Sequence, residues 1–213
     1  MDEIESHQIH SEDELRSRFK DRNPLSIQKA HARLNRHDRD FIARSPFLVI
    51  GTQGANGVAD ASPRGDPPGF VAVIDDTTIA IPDRPGNNRL DTMTNIIENP
   101  AVGLIFLIPG FDETLRINGR AKITTAPSLL AEMAVRDRAP GVAIVVEIDE
   151  IFLHCAKAFR RSKLWDPASR QDRSEMPGLA TMILEVANDG PVDADVGKDA
   201  DEKVEASYER TMY

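Results

Sequence analysis

Between about Pro46 and Cys155 apolar residues gather in short β-branched runs separated by turn residues, whereas the flanking segments repeat, where they repeat at all, at helical spacing. Phe47 to Thr52, Val58 to Ser62, Gly69 to Ile74 and Thr78 to Ile81 predict a meander of short antiparallel strands. The turn Gly54-Ala55-Asn56-Gly57 suits positive φ angles, and Asp75-Asp76 suits a tight hairpin. Ala101 to Ile108, Glu113 to Thr124 and Val142 to Cys155 predict three more strands. Six to seven antiparallel strands are enough to close a small barrel, so the expected fold class is mainly β (β plus α) with flanking helices.

The helical expectations lie around and within this sheet. Ser11-Glu12-Asp13-Glu14 reads as a capping box opening a short helix through about Phe19. Ile27, Ala30, Leu34, Phe41 and Ile42 suggest one amphipathic helix over 27–43, interrupted by the charged stretch Arg36 to Asp40 and stopped by Pro46. Asn87 to Asn99 places Leu90, Met93 and Ile97 on one helical face, with Asn99-Pro100 as a stop. A further helix is expected from Pro127 to Arg136. After Pro167 the chain turns polar, with one apolar helix at Leu179 to Val186. The acidic stretch Asp193 to Asp201 has no hydrophobic period and is expected to contribute little chemistry. The predicted organisation is a helical extension over 1–45, a barrel domain over 46–167 and a polar helical tail over 168–213.

Charge narrows the choice of partners. With 26 basic and 35 acidic residues the net charge is -9, which opposes attraction to nucleic-acid phosphates or anionic lipid. The longest apolar stretch, Ala101 to Pro109, is far short of the roughly 20 residues a membrane span needs. No basic-then-apolar leader opens the sequence, so a cytoplasmic location is expected, with no nucleic-acid and no membrane partner. Cys155 is the single cysteine, so no intrachain disulfide forms. Adjacent His154 and Cys155 point to opposite faces of a strand and make poor joint metal ligands, so no metal site is assigned. No Gly-x-Ser-x-Gly elbow, Gly-x-Gly-x-x-Gly fingerprint or Walker loop occurs.

Candidate chemistry concentrates at strand ends. The segments are Ser62-Pro63-Arg64-Gly65-Asp66, Pro82-Asp83-Arg84-Pro85-Gly86-Asn87-Asn88-Arg89 and Thr114-Leu115-Arg116-Ile117-Asn118-Gly119. In the second, an expected helix start brings free amides, an asparagine cap and a guanidinium together, a combination that suits a phosphate. In the third, alternation sets Thr114, Arg116 and Asn118 on one face. A fourth segment, His154 to Trp165, holds the single tryptophan beside Lys157, Arg160, Arg161, Lys163 and Ser162. Trp165 there either stacks on a planar ligand or anchors packing, and the arginines elsewhere either bind a ligand or face solvent.

Taken in order, these segments, with Phe41-Ile42-Ala43-Arg44-Ser45-Pro46-Phe47 and His154-Cys155-Ala156-Lys157-Ala158, resemble the FMN-binding split-barrel family related to pyridoxamine 5′-phosphate oxidase. The resemblance runs from about Phe41 to Pro167. It implies an FMN-binding split β-barrel and a homodimer with FMN at the subunit interface. It implies an oxidoreductase in which the flavin exchanges a hydride with a small-molecule substrate or a nicotinamide donor, with no catalytic residue assigned. By position, Arg64, within the segment that opens at Ser62, matches a strand-end arginine near the flavin phosphate. Asn88 and Arg89 match a basic pair that grips the phosphate, and Asn87 matches a serine. Pro82 and Asp83 fall where the backbone follows the flavin ring, Thr114 falls on a cofactor-contacting glutamine, and Arg116 shares its segment. Lys157, Ser162 and Trp165 are the contributors from the C-terminal side. The chain departs from the pattern at Asn88 and Thr114, which moves phosphate grip toward Arg84, Lys157 or Arg161. It also lacks the oxidase's substrate-binding arginine and histidine after Pro167. A non-catalytic FMN store or sensor and a genuine pyridoxamine 5′-phosphate oxidase remain the alternatives.

Overall fold

Alternation in the first predicted strand becomes β1 (Phe47–Gln53), where Leu48 and Ile50 are fully buried and their neighbours face outward. In the computed structural model, which describes residues 2–213, six more strands follow. They are β2 (Ala59–Gly65), β3 (Ala72–Val73), β4 (Thr78–Pro82), β5 (Ala101–Leu107), β6 (Thr114–Thr124) and β7 (Ala143–His154). All pair antiparallel in one sheet of order β2-β1-β5-β6-β7-β4-β3. This is the expected β plus α split-barrel class.

The long strands β6 and β7 form the spine, and their register slips between Asn118 and Gly119, where Asp149 is the extra residue of a bulge. Gly119 sits hard against the carbonyl of Glu147, leaving no room for a β-carbon. One face of the sheet carries the main core, including Ile79, Ile81, Leu104, Phe106, Leu115, Ile117, Ile144 and Ile151. Burying aliphatic side chains of this size stabilises by about 1.5 to 3 kcal/mol each.

The chain divides into two compact units at His31 and Ala32. In the first lie α1 (Asp2–Ser6), α2 (Glu12–Ser17) and α3 (Pro24–Gln28). Ser11 caps α2 by accepting the Glu14 amide at 3.1 Å, but Glu14 turns to the amide of His10 instead of closing a reciprocal box, and the helix stops two residues before Phe19. In the second unit α4 (Arg36–Arg44) replaces the latter half of the single helix expected over 27–43. The charged stretch taken as an interruption is its first turn. Asn35 accepts the amides of His37 and Asp38, and Asp38 accepts that of Asn35 at 2.9 Å, a full capping box. Ser45, fully buried, then reaches the carbonyls of Phe47 and Leu107 and ties the helix end to β1 and β5.

Other elements differ from expectation at their ends. β2 runs on through Pro63 to Gly65, which an edge strand tolerates because its outer side needs no ladder. The segment expected over 69–74 pairs for only two residues. α5 (Asp91–Glu98) begins four residues later than expected and buries Thr92, Met93 and Ile96, while Leu90 and Ile97 are exposed. α6 (Pro127–Glu132) stops short of Arg136, because Arg136 and Asp137 take positive φ in a tight turn closed between Val135 and Arg138. Leu129 and Leu130 of α6 cover Ala80, Ala143 and Val145, so β4 and the Ala143 to Val146 part of β7 are buried on both faces.

After α7 (Lys157–Ser162) and two short 3-10 turns come α8 (Leu179–Ala187) and α9 (Ala194–Thr211). The acidic stretch without hydrophobic period is therefore the start of an 18-residue helix. Its Asp201 supplies the cap that α8 lacks, accepting the amides of Ala180 at 2.8 Å and Thr181 at 3.3 Å and the Thr181 hydroxyl at 2.6 Å. Gly178 gives that carboxylate its room. Among the described residues no helix is long and apolar enough to cross a membrane.

Two outcomes follow from this packing. Gly119→Ala is expected to destabilise by about 1 to 3 kcal/mol in urea denaturation, the scale of forced overpacking, whereas Gly141→Ala, whose added methyl meets nothing within 4 Å, leaves the midpoint nearly unchanged. The Thr181 hydroxyl, with the two amides, holds the Asp201 carboxyl below its usual 3.8. A group depressed on folding stabilises above its unfolded value and loses that contribution as pH falls through the folded one. Hydrogen-exchange protection of α8 should thus be full above pH 3.8 and weaken progressively as pH falls from there through the lower folded value, and in Asp201→Ala it should be weak at neutral pH already.

Candidate functional site

The strands β2 and β4 stand first and sixth in the sheet, yet their ends meet. Arg64 in β2 donates to Asp83, just after β4, at 3.2 Å. In the reverse sense Arg84, after β4, donates to Asp66, after β2, at 2.5 Å. Both pairs are largely withdrawn from water, with Asp66 only 1% exposed. Burial pushes the Asp83 carboxyl above its usual range, against the opposing pull of Arg64. Arg64 Nε is buried without a hydrogen-bond partner among the described residues, a donor left open at a place where such groups are rare.

The loop from Pro85 to Leu90 forms the adjoining wall. Asn88 and Leu90 both adopt left-handed conformations, with φ of 57° and 61°. Asparagine tolerates that region, but for leucine it is strained, and such strain concentrates at functional sites. Leu90 is the N-cap of α5 and offers no side-chain cap, so the asparagine cap expected at the helix start is absent. Asn87 instead accepts the Arg89 amide at 3.1 Å within the loop, and Arg89 donates to Asp91 at 2.8 Å.

These walls enclose an open cavity of about 280 Å³ that brings together Ser62, Arg64, Asp83, Asn87, Asn88 and Arg89 with Asp60, Arg84 and Asp91. Pro82 lines a neighbouring hollow of about 350 Å³ that shares Ser62, Arg64, Arg84 and Asn87. The donors there are three guanidiniums, a serine hydroxyl and two carboxamides, which fit the oxygens of a phosphate. The open N–H of Arg64 is the observation within the structure that supports such a fit.

The remaining candidates lie outside this cavity within a single chain. Thr114 is buried at the start of β6, opposite His154. Arg116 lies over the Phe152 ring, 5.0 Å from its centroid. Ser162 donates to the Phe159 carbonyl at 3.0 Å within α7, which Lys157 opens. Trp165 stacks on Phe159 at 5.7 Å and donates its indole N–H to the Phe111 carbonyl at 2.7 Å. In this chain it anchors packing.

Sequence reasoning missed Asp60, Asp91 and Tyr213. The two aspartates carried only the weak signal of acid close to a basic candidate. Tyr213 carried none, because it is far away in sequence. Its hydroxyl donates to Asp66 at 2.6 Å, its ring lies under Arg136 and its carbonyl accepts from Arg138, so the polar tail reaches the Asp66–Arg84 pair. The hydrogen bond to Asp66, with desolvation, raises the Tyr213 hydroxyl above its usual 10.0, so it remains a donor at neutral pH.

Comparison with solved structures finds similar chains of low identity. HupZ of Group A Streptococcus is 18% identical over 56% of this chain and 93% of its own, with a TM-score of 0.47. A putative pyridoxamine 5′-phosphate oxidase from Lactobacillus delbrueckii is 15% identical over 57% and 95%, with a TM-score of 0.45. General Stress Protein 26 from Bacillus anthracis is 16% identical over 54% and 88%, with a TM-score of 0.42. No curated protein sequence matches significantly. The model of the pyridoxamine 5′-phosphate oxidase family matches residues 34–155, which is more than half of the sequence and includes every wall of the cavity, and the chain belongs to that family.

Proposed function

We propose that the chain is an FMN-dependent oxidoreductase, acting as a cytoplasmic homodimer on a small-molecule substrate or a nicotinamide donor. The observation that carries this reading is the gathering of Ser62, Arg64, Asn87, Asn88 and Arg89 around one cavity inside the family-matched segment. Arg64, Arg84 and Arg89 would hold the cofactor's phosphate, with Ser62 and the asparagines completing its hydrogen bonds. Pro82 and Asp83 would lie along the ring. A bound flavin supplies hydride chemistry, and the protein's part is to orient the ring and keep its polar edge satisfied. Thr114, Arg116, Lys157, Ser162 and Trp165 lie apart from the cavity of their own chain. A homodimer would let them complete the cavity of its partner.

The decisive test is the visible absorbance of the purified protein, with mass spectrometry of what heat denaturation releases. Flavin bands and released FMN are the expected result, followed by bleaching with NADH or NADPH. A colourless protein that also ignores added FMN would refute the reading, and bound FMN that no donor reduces would leave a storage module. Arg89→Ala removes a guanidinium whose side chain is 74% exposed, so the fold is spared. It should weaken FMN binding roughly tenfold, the scale of one charge-assisted hydrogen bond, measured by quenching of flavin fluorescence. On dilution, flavin loss should track dissociation of the dimer.

A further inference from the structure

The C-terminal helices touch the cavity's frame by one residue. Helices α8 and α9 pack on each other, and neither packs extensively on a strand or on another helix. Among the described residues from Ala194 onward, Tyr213, just past the end of α9, is alone in hydrogen-bonding to the barrel. Its hydroxyl donates to one oxygen of Asp66 at 2.6 Å, while Arg84 Nε donates to the other at 2.5 Å. The Asp66 side chain is almost wholly buried, and no other described residue donates to its carboxylate. A buried oxygen stripped of its donor bears the full cost of desolvation. Without the hydroxyl, Asp66 turns or admits water, and the Arg84 guanidinium moves with it.

That guanidinium is a shared wall. Arg84 lines the 280 Å³ cavity, the 350 Å³ hollow beside it and a third hollow of about 360 Å³ that Arg138, Arg210 and Tyr213 also line, and it alone is common to all three. Asp66 takes its Nε, and nothing among the described residues takes its terminal nitrogens.

Resting on the flavin reading above, we propose that Tyr213 is a positioning residue for the cavity, carried by α8 and α9 as a latch: closed on Asp66, it holds Arg84 in the arrangement that grips the flavin phosphate. A cofactor bound through Arg84 and a tail bound through Asp66 meet at the two ends of one ion pair, so each favours the other. The latch is light. It consists of one hydrogen bond to a carboxylate, the tyrosine ring against Arg136 and the carbonyl accepting from Arg138. It therefore opens without unfolding the barrel, and every contact in the relay lies within one chain.

Equilibrium dialysis of FMN, at one protein concentration high enough to keep a dimer, tests the latch. Tyr213→Phe keeps the ring on Arg136 and removes the hydroxyl, and should weaken FMN binding roughly fivefold, the lower end of coupling between sites. Tyr213→Ala should weaken it as much, and added 4-methylphenol, seated where the ring was, should restore it. Toluene, the same shape without a hydroxyl, should not, and 4-methylphenol should do nothing for Tyr213→Phe, whose ring fills the place. In the unaltered chain FMN should also slow hydrogen exchange at the end of α9. FMN affinity unchanged in both variants, a loss in Tyr213→Ala that 4-methylphenol fails to reverse or that toluene reverses equally, or exchange in α9 indifferent to FMN would overturn the latch and leave the flavin reading standing. An unaltered chain that binds no FMN would overturn both.

Discussion

Two reciprocal arginine–aspartate pairs span the gap where the sheet fails to close, and the site depends on them. Arg64 and Asp66 belong to one strand end, Asp83 and Arg84 to the other, and each side gives one cation and one anion. The curl of the sheet brings the ends near, but the pairs fix their register. Buried pairs of this kind add little to net stability, since the cost of leaving water roughly offsets the attraction, and breaking one by removing a single partner is costly. Their contribution is to geometry. They set the distance between β2 and the loop leading to α5, and with it the width of the cavity.

The strands were legible because their side chains alternate and their turns use residues suited to positive φ. Leu48, Ile50, Leu115 and Ile117 declare a buried face within a few positions. The start of α5 was not legible, because Asn87-Asn88 reads as a cap while the loop folds onto itself through Asn87 and Arg89 and hands the cap position to a left-handed Leu90. Local propensity there is overruled by the walls the loop must join. The helix over 27–43 failed for the opposite reason. A strong cap at Asn35 stood just before the charged stretch read as an interruption, since charge in a first turn and charge in a break look alike without the capping geometry.

Half of the candidate site could be found from strand-end basic residues beside glycine and proline. Asp66 and Asp83 came with those segments, but Asp60 and Asp91 could not be found, because nothing local distinguishes them from solvated surface charge. The tail is the clearest case. Its pairing of α8 with α9 rests on Asp201, Thr181 and Gly178, and its reach to Asp66 rests on Tyr213, interactions between residues many positions apart that leave no periodic trace.

Both borders of the sheet are blunted. Pro63 stands in β2 without an N–H to offer, and β3 at the other border is two residues long. Each shortens the row of free backbone groups onto which a second sheet would grow. Continuation of one copy's strands by another, edge to edge, is thereby discouraged. A fold that leaves its barrel split thus avoids the hazard of an open β-sheet, aggregation through its borders, while keeping the opening in which its polar site lies.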